Sequence, residues 1–420
     1  MKPAQLCLFA AAAMLGAPLA ARTPEQVAEA ALKAAPVWDG HNDVPMQLRD
    51  RFGNVLSNLD FHDTRHVPTG EEGGFDAMQT DLARLRQGKV GAQFWSVCAP
   101  AGLSEPEAVQ STIEQIDETK RLIARYPTDL ALALNSADVE RAWKGGRIAS
   151  LMGMEGGGSI GSSLGVLRQM YDLGARYLTL THSKTLSWAD SATDAPKHGG
   201  LTDFGRDVVR EMQRIGMLVD LSHVSEETML DALEVARAPV IFSHSGSRAV
   251  AGHARNVPDS VLARLKANGG IVMVVALPGF ISEEQRQWYA SHQAEEARLK
   301  TLWQGQPSIV ERELKAWNDA HPAPPATVFQ MADHVDHIRQ VAGIDHIGIG
   351  GDYDGMPSGP QGMEDVSGYP ALFVELAKRG YSQQDLEKIA SRNMMRVLKA
   401  TEAYAAAHRA DPPIERRAGD

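Results

Sequence analysis

Eight apolar runs, each followed by a stretch with helical spacing, divide most of this 420-residue chain into repeating units. The runs are 37–39, 91–97, 148–154, 177–181, 217–221, 240–243, 271–277 and 346–350. Most are continuous rather than alternating, as expected of parallel strands covered on both faces. The segments between them, such as 164–173 and 204–215, space their apolar residues as a helix does. Gly174, Gly216 and Gly269-Gly270 each stand just before the next run, where a helix must stop. Eight strand–helix units at this length predict one α/β domain, a (β/α)8 TIM barrel. A doubly wound open sheet is the alternative. Ligand-type residues scattered over many strand ends favour a closed ring.

Three stretches depart from the pattern. Residues 1–21 carry Lys2, an apolar run over 6–19, and then Ala20 and Ala21. That order predicts a signal peptide cut near Ala20-Ala21, and so an exported chain, periplasmic or secreted. The run is too short for a comfortable membrane span, and no other segment approaches that length. The barrel is expected over 22–405, with a polar tail at 406–420. Residues 282–325, with Trp288, Trp303, Trp317 and a proline-rich end, read as a helical insertion after the seventh strand. Insertions on that side commonly form lids. Cys7 falls in the signal segment and leaves Cys98 alone, so export proceeds without a disulfide framework; Cys98 reads as a packed core thiol. The net charge of −11, with no basic stripe, argues against nucleic acid as a partner.

The strand tips carry the chemistry. The first ends His41-Asn42-Asp43, the third Met154-Glu155-Gly156, and the fourth Thr181-His182-Ser183. The fifth ends Asp220-Leu221-Ser222-His223, the sixth Ser243-His244-Ser245, and the eighth Gly350-Gly351-Asp352-Tyr353-Asp354. In a barrel these tips converge on the C-terminal mouth. The imidazoles and carboxylates there are an N/O donor set suited to Zn²⁺ or a similar divalent ion. They exceed one tetrahedral site, so two ions are expected, ~3.5–4 Å apart and sharing a bridging carboxylate. Glu155 is the bridge candidate, since glycines beside it allow close approach. His41 and Asp43 would hold one ion, and His223 and His244 the other. Arg255 follows the sixth strand by a short loop, placed to grip a substrate carboxylate with two prongs. Asp354 reads as a turn residue. His62 and His66 read as surface, and so does the set Asp333, His334, Asp336 and His337, on one predicted helix over 327–341.

Several stretches, in order, resemble the membrane (renal) dipeptidases among the amidohydrolase-like barrels. They are Asp39-Gly40-His41-Asn42-Asp43, Gly153-Met154-Glu155-Gly156-Gly157, Leu180-Thr181-His182-Ser183, Trp188-Ala189-Asp190 and Leu201-Thr202-Asp203-Phe204-Gly205. Asp220-Leu221-Ser222-His223-Val224-Ser225, Phe242-Ser243-His244-Ser245, Arg255-Asn256, Gly350-Gly351-Asp352-Tyr353-Asp354-Gly355 and Glu364-Asp365-Val366 complete the set. The resemblance implies a zinc dipeptidase with two zinc ions per subunit and a metal-bridging hydroxide. It implies the metal ligands His41, Asp43, Glu155, His223, His244 and Asp352. Asp352 would also shuttle the proton. Arg255 would bind the dipeptide's carboxylate, and His182 would sit by the scissile carbonyl. It further implies a homodimer and tolerance of a C-terminal D-residue. The same site would also suit an N-acyl amino acid deacylase or a β-lactam-hydrolysing amidase. Some relatives carry a substrate-contacting aromatic residue soon after the seventh strand. Here that stretch reads Val275-Ala276-Leu277-Pro278-Gly279-Phe280, so the resemblance leaves the side-chain pocket open.

Overall fold

The computed structural model describes residues 22–67 and 77–416. The expected signal peptide, 1–21, lies outside the described residues. Nine parallel strands form: β1 (Val37–Asn42), β2 (Val90–Cys98), β3 (Leu130–Leu132), β4 (Ile148–Glu155), β5 (Ala175–Thr179), β6 (Leu218–Asp220), β7 (Ile241–Ser245), β8 (Ile271–Val274) and β9 (Ile347–Ile349). Eight of them close a ring: β1 pairs with β2 and β9, β2 pairs directly with β4, and β4 to β9 follow in order. This is a (β/α)8 barrel, and its ring strands fall on the eight apolar runs. The ninth, β3, pairs with β4 at Ile148–Ser150, below the point where β5 takes over at Met152. It is three residues long and half open to solvent, so no apolar run announces it.

The barrel interior is filled by Trp38, Phe94, Leu151, Tyr177, Ile241 and Met273, all fully buried. Gly153 in β4 is required there, because a Cβ would collide with the Tyr177 ring. Outside the ring the helices bury one stripe each. In Asp203–Ile215, Phe204, Val208, Val209 and Met212 face the strands. Each such burial is worth roughly 1.5–3 kcal/mol. Thr202 starts that helix by accepting from the Gly205 amide, and Gly216 ends it at φ +89°. Val208→Asp would place an unpaired charge in this layer and break it.

Two antiparallel helices, Glu283–Leu302 and Pro307–Ala320, form the insertion after β8. Glu283 accepts from the Gly252 amide at 2.9 Å, which fastens the insertion to the loop after β7. After the last helix, Ile414 packs on the core and Arg416 pairs with Asp207. The helix Val328–Val341 differs from its sequence reading. Asp333 and Asp336 do face out, toward Arg379, and His337 reaches Asp259. His334 instead is fully buried: its Nδ1 accepts from the Ser247 amide at 2.7 Å and its Nε2 meets the Ile281 carbonyl at 3.1 Å. Backbone groups of two segments distant in sequence supply its partners, so a solvated position was the wrong expectation for His334.

Candidate metal centre

The C-terminal ends of the ring strands gather around Glu155, the last residue of β4. Its Oε1 lies 2.8 Å from His223 Nε2, 3.4 Å from His244 Nε2 and 3.9 Å from His182 Nε2. Its Oε2 lies 3.6 Å from His41 Nε2 and accepts from Ser96 Oγ at 3.2 Å. His41 Nε2 is in turn 3.4 Å from Asp43 Oδ2. Ligand atoms of His41, Asp43 and Asp352 lie within 4.8 Å of one another, as do those of His41, Glu155 and His244. All eight residues singled out in the sequence for metal or substrate therefore sit in or beside one buried mouth.

Local backbone chemistry places them. His41 lies near the end of β1 and Asp43 just past it, at the start of the helix Val44–Phe52, and the turn between strand and helix brings their side chains together. His223 and Asp352 sit at φ +70° and +64°, a left-handed conformation uncommon for side-chain-bearing residues. Such positions store about 1–3 kcal/mol and persist where neighbours over-determine them. The His223 carbonyl accepts from the Ala192 amide at 2.7 Å and from Thr181 Oγ1 at 3.2 Å. The Asp352 amide donates to the His41 carbonyl at 3.1 Å. Asp354, at φ +66°, accepts from the Gln79 amide at 2.7 Å, a turn role as expected.

A second layer of groups orients the imidazoles. Asp220 accepts from Ser243 Oγ at 2.6 Å, Thr179 Oγ1 at 2.5 Å, and the Ser222 and Ser243 amides. The Ser243 hydroxyl thus spends its only proton on Asp220. It must accept from His244 Nδ1, 2.9 Å away, which leaves the lone pair on Nε2 facing the cluster. His41 Nδ1 shares a 2.8 Å hydrogen bond with the Tyr177 hydroxyl. Asp39 ties β1 to β9 by accepting from the His41 and Gly351 amides and from Tyr369. Sequence reading missed Tyr177, Ser243, Asp220 and Asp39 as supports. Ser243 and Asp220 stood within the quoted motifs; Tyr177 lay inside an apolar run and gave no signal.

The donor set fits divalent cations. His41 Nε2 is buried and has no hydrogen-bond partner, and the same holds for His223 Nδ1. His223 and His244 bring their Nε2 atoms within 3.0 Å. Two lone pairs at that distance repel unless a proton or a cation lies between them. Burial, with Arg255 adding to it at His223 and His41 and Arg255 adding to it at His244, pushes both imidazoles well below their usual range. Burial and the neighbouring Asp43 push Asp352 well above the usual carboxylate range. Burial opposes protonation of His41, yet Tyr177, Glu155 and Asp43 raise it well above the ordinary imidazole value. Asp352 and His41 thus hold on to protons in a buried cluster whose permanent positive charge is that of Arg255. Cations would take the place of those protons.

Arg255 is 2% exposed. Its Nη2 donates to the His244 carbonyl at 3.4 Å, while Nε and Nη1 have no partner. Burial lowers its pKa to about 10. Its Cζ stands 5.4 Å from the centre of the Phe280 ring, and that ring lies against His253 at a tilt of 32°. Asn256 holds this loop by donating to the Ala251 and Phe280 carbonyls and accepting from the Gly246 amide. A cleft with about 80 Å³ of open space runs beside Glu155 and His182, walled by Pro100, Leu103, Ala108 and Leu186.

A closed (β/α)8 barrel with a nitrogen and oxygen donor cluster at its C-terminal mouth defines a metal-dependent hydrolase of the barrel type. The particular family follows from comparison with known proteins. The model for membrane dipeptidase, peptidase family M19, matches residues 25–412. An uncharacterised dipeptidase of Schizosaccharomyces pombe is 42% identical, over 94% of this chain and 87% of that one. Dipeptidase 3 of Rattus norvegicus is 40% identical, over 92% of this chain and 69% of its own length. The chain belongs to the membrane dipeptidase family and is a metallodipeptidase. Among solved structures, the probable dipeptidase PvdM of Pseudomonas aeruginosa superposes with a TM-score of 0.75 at 22% identity, covering 91% of this chain and 99% of that one. A metallopeptidase from Rhodobacter sphaeroides, liganded with a phosphinate mimic of the dipeptide L-Ala-D-Ala, superposes at 0.70, also at 22% identity, covering 87% and 99%. These two likenesses concern the fold.

Proposed function

We propose that this chain is exported and hydrolyses the single amide bond of dipeptides, those with a C-terminal D-residue included, at a centre of two zinc ions. The observation that carries the reading is the buried guanidinium of Arg255, with two unused donors, beside the cluster around Glu155. His41 and Asp43 would hold one ion and His223 and His244 the other, with Glu155 shared and Asp352 beside the first. Ions held there polarise an amide carbonyl and bring the deprotonation of water into the neutral range.

The chain's own groups do the rest. Arg255 binds the carboxylate one residue beyond the cut, which excludes longer peptides by position and desolvation. His182, on the open side of the cleft, donates toward the carbonyl oxygen as negative charge develops there. Asp352 takes a proton on its carboxylate and passes it to the leaving amine. Its raised proton affinity suits that exchange. Tyr177 and Ser243 keep His41 and His244 in the tautomers that leave Nε2 free. The reading includes a homodimer, which sedimentation tests.

The deciding experiment is a substrate panel run with metal counting. It contains L–L and L–D dipeptides, their C-terminal amides, tripeptides, N-acyl amino acids and a β-lactam. Hydrolysis confined to free dipeptides, lost on chelation and restored by zinc, is the expected result. Full activity after metal removal, or preference for N-acyl amino acids over dipeptides, overturns it.

A further inference from the structure

The centre has an unassigned neighbour. Cys98 ends β2 and stands in register with Glu155 at the end of β4. Its thiol, a Glu155 oxygen and a His182 nitrogen lie within 4.8 Å of one another. That spacing lets one cation touch all three. His182 has a buried Nδ1 with no hydrogen-bond partner. The cleft of about 80 Å³ is lined by Glu155, His182 and Ala99, the residue after Cys98, so it opens onto two of the three ligands and runs past the third. Cys98 is the one cysteine among the described residues; its thiol lies 3.6 Å from the Ala99 carbonyl and also interacts with the Glu155 carboxylate.

We propose that Cys98, Glu155 and His182 form an inhibitory site for a thiophilic cation, which shares Glu155 with the ligand set assigned above and adds Cys98 and His182 to it. Soft cations such as Cd²⁺ select sulfur, whereas the His/Asp/Glu set around His41 and His244 suits harder or borderline ions. On binding, the thiol releases its proton to solvent and a metal–sulfur bond forms, with no change of oxidation state. The cation then occupies the side of Glu155 that faces the cleft. It also takes His182, which the proposed function assigns to the substrate carbonyl, so substrate and thiophilic cation exclude each other. The inhibitory half rests on that functional reading, while the binding half does not.

The test titrates Cd²⁺ into the zinc-loaded protein carrying Cys7→Ser, so that Cys98 is the one thiol. The ultraviolet sulfur-to-cadmium charge-transfer band reports binding, and dipeptide hydrolysis is followed in parallel. The expected result is a band that saturates at one equivalent, with activity lost in proportion. Cys98→Ser and Cys98→Ala should both lack the band, and their inhibition midpoints should rise at least ~10-fold. Cadmium that merely replaces zinc on nitrogen and oxygen ligands gives no such band. No band in the folded Cys7→Ser protein overturns the site. A band with unchanged inhibition in both Cys98 variants overturns its inhibitory role. If neither protein cleaves any dipeptide, the functional reading fails while the band still decides the site.

Discussion

Replacing Arg255 with methionine separates a substrate-binding role from a structural one. The guanidinium is 2% exposed and two of its donors are unpaired. A buried donor without a partner costs about 1–3 kcal/mol. Methionine has similar length, keeps the contact with Phe280 and removes those donors. The ligand-free protein should therefore melt no lower than the parent, and a gain of ~1 kcal/mol would raise Tm by only about 1 °C in a chain this long. Catalysis should behave oppositely. Two charge-assisted hydrogen bonds to a substrate carboxylate are worth roughly 1.5–3 kcal/mol each and do not add fully. A loss of about 3 kcal/mol lowers kcat/KM roughly 100-fold. The assay compares a dipeptide with its C-terminal amide, at equal metal content. The parent should prefer the free acid by about that factor, and Arg255→Met should erase the preference while changing the amide rate little. Equal losses on acid and amide, or a Tm lower by several degrees, would refute the argument.

Further outcomes follow from neighbouring contacts. Asp43→Ala should lower the metal count from two to about one, because the His223/His244 pair does not depend on it; two ions at full occupancy would show that the pair His41 and Asp43 is misassigned. Tyr177→Phe fills the same space but loses the 2.8 Å bond to His41 Nδ1. A chelator competition should then show ~10–100-fold weaker metal binding with the fold intact, and an unchanged midpoint would remove Tyr177 from the design. Glu118 is buried, neither oxygen has a partner, and burial raises its pKa to about 8. The folded state keeps a proton that the unfolded chain gives up. Its contribution is therefore complete below the unfolded value and is lost as pH rises through about 8. Glu118→Gln should flatten the fall in urea midpoint between pH 4.5 and about 8, and parallel slopes for both proteins over that range would contradict this.

The ring strands were legible because parallel strands covered on both faces must be apolar throughout. That constraint acts residue by residue, so it survives in one dimension. The tip residues were legible for a related reason: His41, Glu155, His223, His244 and Asp352 interrupt apolar runs at their ends, where burial without a partner would be costly. β3 escaped notice because three half-exposed residues carry no such constraint. His334 was misread because its partners are the backbone groups of Ser247 and Ile281, far away in sequence. Helix periodicity reports which face is apolar, not whether a polar residue will find a buried donor.

By itself, then, the sequence determined the barrel, the mouth where its polar tips meet, and the kind of atoms gathered there. Local propensity and burial suffice for those, since each strand announces itself. Tertiary structure alone decided how the atoms face one another. It joined β2 directly to β4, which brings Ser96 and Cys98 beside Glu155. It carried Tyr177 across the barrel over Gly153 to reach His41. It linked His244 through Ser243 to Asp220, and left Arg255 buried with donors to spare. Those distances come from closing a ring of strands, and ring closure joins residues that no local pattern in the chain connects.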